Sequence, residues 1–357
     1  MIEICIIGLG YVGLPLALNV SKKFKTIGFD INRTRIYNLK KKYDDNFEFK
    51  KDDFINKKIS FTHKIDKISN CNYYIVCVPT PIDKKNNPEL SALKKTFDIL
   101  KKVIKKKDTI ILESTVYPGV TDIFSNFLEK KTYLKKNKDF FICYSPERIN
   151  PGDNSKKLNK IDKIFSTEIN NKEKIIEIKK IYSLVSKKLI FSKSIPESEA
   201  AKVIENIQRD LNIALFNEIL MICDKLKLNF SEVIRLASTK WNFLKFNPGL
   251  VGGHCLPVDP YYLSYVSKKN NLNLKTTLAG RATNNLMKNY VLDKFKRHIK
   301  SNHFTNKSKI LVIGITYKYG VSDMRNSLNF EIFKKIKTMY PKALSYDPFI
   351  EMKSNLT

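Results

Sequence analysis

Residues 1–20 read MIEICIIGLGYVGLPLALNV, and the six residues Gly8-Leu9-Gly10-Tyr11-Val12-Gly13 within them decide the fold. An apolar, strand-like run precedes the six, and an apolar run of helical character follows. G-x-G-x-x-G between a strand and a helix lets the backbone approach a pyrophosphate, which then sits on the helix N-terminus. A second apolar run, KTIGFD, ends on Asp30, 22 residues beyond Gly8. A carboxylate there accepts hydrogen bonds from ribose hydroxyls and repels a 2′-phosphate, which predicts NAD rather than NADP as cofactor. Arg35 lies close by and is the residue type an NADP site would use. The candidate cofactor residues here are Gly8, Gly10, Tyr11, Val12, Gly13, Asp30 and Arg35.

Working outward, YYIVCVP, DTIILEST and FFICYSP repeat the short apolar run, and Lys-rich segments of helical spacing separate most of them. Strands alternating with helices predict an α/β domain, a parallel sheet with helices on both faces, over residues 1–195. Thr80 in CVPTP and Thr115 in ESTVYPG fall at strand ends, where open α/β sheets bind ligands. Taken alone, each reads more readily as a turn or cap. SIPESEAAKVIENIQRDLNIALFNEILMICDKL then predicts one long helix, with Ser194 as cap, Pro196 in the first turn and Glu197 three residues after the cap. Such a helix joins domains or builds a dimer interface, and a central helical domain is expected over 196–304.

After Thr305 the opening pattern returns. KILVIGITYK places Gly314 where IEICIIGLGYV has Gly8, and SYDP places Asp347 where GFD has Asp30. A second strand–helix–strand nucleotide-binding half is expected over 305–357, and it reads as cut short because two strands make a poor sheet.

The bulk composition excludes several classes. No run approaches 18 uninterrupted apolar residues, so a membrane span is not expected. The N-terminus lacks the basic opening of a signal peptide, and the expected location is the cytoplasm. The formal charge of +30 invites a nucleic-acid reading. Only 8 of the 65 basic residues are Arg, however, and the Lys are scattered, which argues for solvated faces and against nucleic acid as a partner. The histidines His63, His254, His298 and His303 show no ligand spacing with cysteine, and no CxxC pair occurs, so no metal is expected.

Among the six cysteines, Cys5, Cys77 and Cys143 lie in strand-like runs and Cys223 on an apolar helical stretch. Cys255 instead sits in GGHCLPVDP, Gly252 to Pro260, four residues before Asp259. His254 and Cys255 are adjacent on an extended loop and point apart, which suits a nucleophile–base pair poorly. Lys202 and Asn206 are four apart on the long helix and share a face. A lysine there can stabilise an oxyanion, although alone it reads equally as a surface residue. NAD beside a reactive thiol has a chemical meaning. An aldehyde cannot yield a hydride directly, whereas its thiohemiacetal can, and the resulting thioester is then hydrolysed.

At this point the chain resembles the UDP-glucose/GDP-mannose dehydrogenase family. The matching stretches run in order: IIGLGYVGLPLA, CVPTP, ESTVYPG, YSPERINPG, EAAKVIENIQRDLNIALFNE, NPGLVGGHCLPVDPYYL and GITYKYGVSDMRNS. SPERINPG and GGHCLPVDPYYL most resemble the branch acting on UDP-N-acetylhexosamines. The resemblance implies Rossmann-like first and last domains and oxidation of C6 of a UDP-sugar from alcohol to carboxylate. It implies two NAD and one water, a homodimer or higher homo-oligomer, and a place in capsule, O-antigen or other surface-glycan synthesis. By motif, Cys255 resembles the nucleophile, Lys202 and Asn206 the oxyanion stabilisers, and Asp259 the residue ordering the hydrolytic water. Glu147 resembles the residue assisting thioester hydrolysis, and Thr115 one near the nicotinamide. Arg148 and the loop from Phe246 through Asn247, Gly249 and Gly252 to Gly253 resemble substrate contacts. Lys318 resembles a substrate contact from the last domain and Arg325 a cofactor contact. The loop contacts that read the sugar cannot be placed from sequence, so a UDP-glucose 6-dehydrogenase stays an alternative; family members usually carry more chain after SYDP, so a truncated inactive member that only binds nucleotide or dimerises is another.

Overall fold

The computed structural model describes residues 1–55, 57–148, 160–305 and 307–350. The chain divides into two compact units, Met1–Val203 and Ile204–Thr357. The central helical region and the last lobe thus fall in one unit.

In the first unit the order is β1 (Glu3–Ile7), α1 (Gly13–Val20), β2 (Lys25–Phe29), α2 (Arg33–Lys40), β3 (Ile59–Thr62), β4 (Tyr73–Val76), α3 (Ser91–Val103), β5 (Thr109–Leu112), α4 (Val120–Thr132), β6 (Phe141–Tyr144), β7 (Lys163–Thr167), α5 (Lys172–Tyr182) and β8 (Leu189–Ser192). The strands form one sheet in the order β3-β2-β1-β4-β5-β6-β7-β8. β1, β4, β5 and β6 read as continuous apolar runs because parallel strands are covered on both faces; every residue of β4 is buried. β1 has β2 on one side and β4 on the other, so the chain reverses its direction of sheet growth after β3. That reversal leaves a crevice at the C-terminal ends of β1 and β4, where the glycine turn lies.

The sheet departs from the all-parallel expectation at one seam. β6 and β7 pair antiparallel, and β8 then follows β7 in parallel through α5. An antiparallel pair needs no crossover helix, and none lies among the described residues between these strands.

The long helix α6 runs Ile195–Leu226, close to the expected span. Its start belongs to the first unit and the remainder to the second. The second unit continues with α7 (Phe230–Ala237), α8 (Asp259–Lys269), α9 (Lys275–Ser301), β9 (Leu311–Ile313), α10 (Leu328–Met339) and β10 (Leu344–Tyr346). β9 and β10 pair in parallel, and α10 contributes Ile332, Phe333 and Ile336 to a small core with Ile315 and Leu292.

The internal echo extends to single hydrogen bonds. Gly8 has φ +91° and Gly314 +83°. The Gly8 amide donates to Phe29 O at 2.9 Å, and the Gly314 amide to Tyr346 O at 2.8 Å. Leu9 N donates to Asp30 Oδ2 at 2.8 Å, and Ile315 N to Asp347 Oδ2 at 2.9 Å. The second oxygen of each carboxylate takes the amide two residues on, Asn32 at 2.9 Å and Phe349 at 3.0 Å. In the second copy the Thr316 hydroxyl also donates to Asp347.

Candidate active site

The glycine turn fits a dinucleotide pyrophosphate. A Cβ on Gly8 would lie 2.9 Å from Cys77 O, and one on Gly13 1.8 Å from Gly8 O, so both glycines are demanded by packing. A Cβ on Gly10 would meet nothing within 4 Å, which is the room a phosphate needs. Tyr11 and Val12 lead into α1, and Leu14 N donates to Gly10 O at 3.1 Å. Asp30 is only half-buried and its two anchoring amides hold it at the end of β2. Arg35 is buried and engaged within the protein. Its Nε donates to Leu9 O at 3.0 Å, and one Nη sits 2.7 Å from Asp44. It braces the glycine turn from behind.

Thr80 and Thr115 come together, the Thr80 hydroxyl donating to Thr115 O at 2.7 Å. Glu147 and Arg148 follow β6; the remainder of the SPERINPG stretch, from residue 149, lies outside the described residues. Arg148 N donates to Glu147 Oε1 at 2.6 Å, and Arg148 Nη1 to Asp162 O at 3.3 Å. Glu147 Oε2 accepts from Lys163 at 2.9 Å. Lys202 is buried, 7% exposed, rather than lying on a solvated face.

In the second unit the thiol and its loop are built on α8. Cys255 is exposed, whereas Cys5, Cys71, Cys143 and Cys223 are buried and Cys77 partly so. The Cys255 carbonyl accepts from Val258 N at 3.0 Å and Asp259 N at 2.9 Å, so the loop turns directly into the helix. Asp259 is the first residue of α8 and is 2% exposed, with Pro260 behind it in the first turn. Asn206, on α6, donates from Nδ2 to Asp259 Oδ2 at 2.5 Å. His254 turns to another partner, its Nε2 lying 2.9 Å from Asp323 Oδ2. Arg325 forks onto the same carboxylate, with Nη2 at 2.8 Å. Burial alone would raise Asp323, but the bonds from His254 and Arg325 outweigh it and hold the carboxyl well below its ordinary range.

The loop glycines differ in what surrounds them. A Cβ on Gly252 would stand 2.7 Å from Asn326 O, and one on Gly253, at φ +89°, 2.7 Å from the Tyr317 ring. Both were expected to bring backbone near a substrate, yet the space they leave is filled by the chain itself. Gly249 has nothing within 4 Å. Phe246 rests near Phe216, ring centroids 6.1 Å apart. Lys318 is half-buried, its carbonyl accepting from the Thr316 hydroxyl at 3.0 Å.

Sequence reasoning missed the buried polar network that carries this loop. Asn217 clamps Gly249 from both sides, accepting from its amide at 2.8 Å and donating to its carbonyl at 3.1 Å. Asn217 also donates to Asn284, which donates to Asp210 at 2.7 Å. Arg281, 1% exposed, pairs with Asp210 and reaches Leu256 O at 3.4 Å, immediately after the thiol. The available signal was polar residues at 206, 210 and 217, spaced to share a face of α6. Among the described residues no group of three His, Cys, Asp or Glu could hold a metal, and no helix is long and apolar enough to cross a membrane.

A doubly wound sheet with a glycine turn at its switch point, followed by a long helix and an exposed thiol loop, defines a dinucleotide-binding dehydrogenase class. Residues 2–186 match the NAD binding domain of the UDP-glucose/GDP-mannose dehydrogenase family, and residues 196–286 match its central domain. The chain belongs to that family. It is 41% identical over 354 residues to the UDP-N-acetyl-D-glucosamine 6-dehydrogenase of Salmonella typhi, covering 98% of this chain and 83% of the relative. It is 42% identical over 338 residues to the protein CapL of Staphylococcus aureus, covering 94% and 79%. The solved UDP-D-ManNAc dehydrogenase of Pyrococcus horikoshii superposes with a TM-score of 0.86 at 28% identity, covering 98% and 84%. The native UDP-N-acetyl-mannosamine dehydrogenase Cap5O of Staphylococcus aureus gives 0.84 at 30% identity, covering 98% and 83%.

Proposed function

We propose that the protein is a UDP-N-acetylhexosamine 6-dehydrogenase that converts the C6 alcohol to a carboxylate. The observation that carries this reading is an exposed thiol four residues ahead of a buried carboxylate, Asp259, that Asn206 holds at 2.5 Å. Relatives named for UDP-N-acetylglucosamine and UDP-N-acetylmannosamine support the substrate class.

NAD, when bound, supplies a hydride acceptor and is used twice. The chain's own residues do the rest. The C6 alcohol first loses a hydride while its hydroxyl proton passes to the water ordered by Asp259, leaving an aldehyde; Cys255 then adds its sulfur to C6, opening the C=O π bond. Lys202 and Asn206 stabilise the oxygen that gains the electron pair. Loss of hydride from this thiohemiacetal leaves a thioester on Cys255. Asp259 and Thr115 order the water that attacks it, Glu147 takes a water proton, and the C–S bond breaks to return the thiolate. Gly8, Gly10, Gly13 and Asp30 hold the cofactor, Thr80 and Arg325 add contacts to it, and Arg148, Phe246, Asn247, Gly249 and Lys318 hold the sugar nucleotide. The protein works in the cytoplasm as a homodimer or higher homo-oligomer, feeding surface-glycan synthesis.

The test is NADH formation at 340 nm with UDP-GlcNAc, UDP-GalNAc, UDP-ManNAc and UDP-glucose. Cys255→Ala is expected to abolish sustained turnover; full activity in that variant overturns the mechanism, and UDP-glucose as the preferred substrate overturns the substrate class.

A further inference from the structure

Behind Glu147 lies a buried ion cluster that the reaction as described leaves unused. Lys163, the first residue of β7, donates to Glu113 Oε2 at 2.6 Å and to Glu147 Oε2 at 2.9 Å. Tyr182, at the end of α5, donates its hydroxyl to Glu113 Oε1 at 2.6 Å. The side chains of Glu113, Lys163 and Glu147 are 0%, 3% and 10% exposed, so Glu147 is the end nearest solvent.

Two carboxylates face one ammonium here, and burial disfavours the ionised form of a carboxyl group. Burial pushes Glu113 up to about 7 against the pull of Lys163, with the Glu147 charge adding to the rise. For Lys163 burial works the other way, but the two carboxylates outweigh it and keep the amine charged. Among the described residues the thiols of Cys77 and, beside Tyr182, Cys143 also face the cluster; burial raises both thiols and the phenol, so they stay neutral near pH 7.

We propose that Glu147, Lys163 and Glu113 form a proton relay, in which a proton taken from water at Glu147 passes to the Lys163 nitrogen as Lys163 gives one of its own to Glu113. The relay rests on the reading of Glu147 as the base for thioester hydrolysis. The balance closes without any change of oxidation state. A water O–H bond breaks, the oxygen bonds to the thioester carbon, and the C–S bond releases the Cys255 thiolate. Glu113 ends protonated, Lys163 remains an ammonium, and Glu147 is again a carboxylate. The first proton thus comes to rest on Glu113, the more deeply buried of the two carboxylates. Glu147 can then accept the second proton, which the product acid releases as it ionises, and pass it to solvent; the reverse shift through Lys163 returns the Glu113 proton by the same route before the next turnover.

The experiment is kcat against pH for the wild type, Glu113→Gln, Tyr182→Phe and Glu147→Gln, with thermal unfolding as the check of folding. A protonated Glu113 cannot accept, so the wild-type rate falls on the acid side near pH 7. In Glu113→Gln that limb is expected to move acidward by about one pH unit or vanish, with kcat at pH 8 about 10-fold lower. Tyr182→Phe removes a donor that favours ionised Glu113, so its limb moves to higher pH. Glu147→Gln is expected to give a burst of NADH and no sustained turnover. If Glu147→Gln turns over like the wild type, the role of Glu147 falls. If Glu147→Gln is inactive but folded Glu113→Gln and Tyr182→Phe keep the wild-type limb, the relay alone falls. If Glu113→Gln does not fold, the direction of the Tyr182→Phe shift decides.

Discussion

Asn206 and Lys202 were paired in the sequence by a spacing of four, but the two side chains do different things. Lys202 is buried on the helix, while Asn206 is half-buried and gives a hydrogen bond to Asp259, fixing which carboxylate oxygen stays oriented by the protein. In the proposed mechanism Asn206 both orients the carboxylate that orders water and faces the oxyanion, a role that acts on the transition state more than on the bound ground state. Asn206→Ala is therefore expected to lower kcat by about 10²-fold with little change in KM. Steady-state kinetics with the preferred UDP-sugar check this; a raised KM at unchanged kcat would mean that Asn206 only binds substrate. Arg35 is another residue whose surroundings only three dimensions show. Composition and spacing place it beside Asp30, whereas its charge is consumed by Asp44, a partner nine residues away across an irregular loop.

Elements were legible where their pattern was long or continuous and illegible where polar residues interrupted it. β1, β4, β5 and β6 were read because burial on both faces writes an unbroken apolar run, and β2 because it leads to Asp30 after the glycine turn. β3, β7 and β8 were missed. ISFT, KIFST and LIFS each carry polar residues in the run, and the buried Lys163 opening β7 reads as a solvent-facing residue until its two glutamates are seen. The thiol loop was recognised by its glycines, but their purposes could not be separated in one dimension. The structure separates them. Gly252→Ala sets a Cβ 2.7 Å from the Asn326 carbonyl, a backbone atom that cannot swing away. It is expected to cost about 1–3 kcal/mol by overpacking. Gly249→Ala meets nothing within 4 Å, and its stability should stay within about 0.5 kcal/mol of the wild type. If the open face of Gly249 receives the sugar nucleotide, this variant raises KM while Gly252→Ala lowers Tm. Calorimetry and kinetics on the pair decide it, and equal Tm losses would show that the two positions are not different in kind.

For the whole chain the dominant electrostatic fact is the excess of cations. With 65 Lys and Arg against 35 Asp and Glu, 30 basic groups have no acidic side chain available even in principle. A net charge of that size opposes compactness by self-repulsion, and salt screens it over about 8 Å at physiological ionic strength. The ion pairs that hold the structure respond differently. Arg281–Asp210 and Lys163 with Glu113 are buried, so salt reaches them poorly, while exposed pairs such as Arg235–Glu232 contribute little to begin with. Added salt should therefore relieve repulsion without dissolving the pairs that matter. Raising NaCl from about 0.02 to 0.3 M is expected to raise Tm, by roughly 2–4 °C for each kcal/mol of repulsion removed. The same screening weakens attraction for the proposed diphosphate-bearing substrate, so kcat/KM should fall over the range in which Tm climbs. Scanning calorimetry and initial rates on one salt series test both limbs. A Tm that drops with salt would mean that exposed ion pairs, and not the scattered lysines, set the electrostatic balance of the fold.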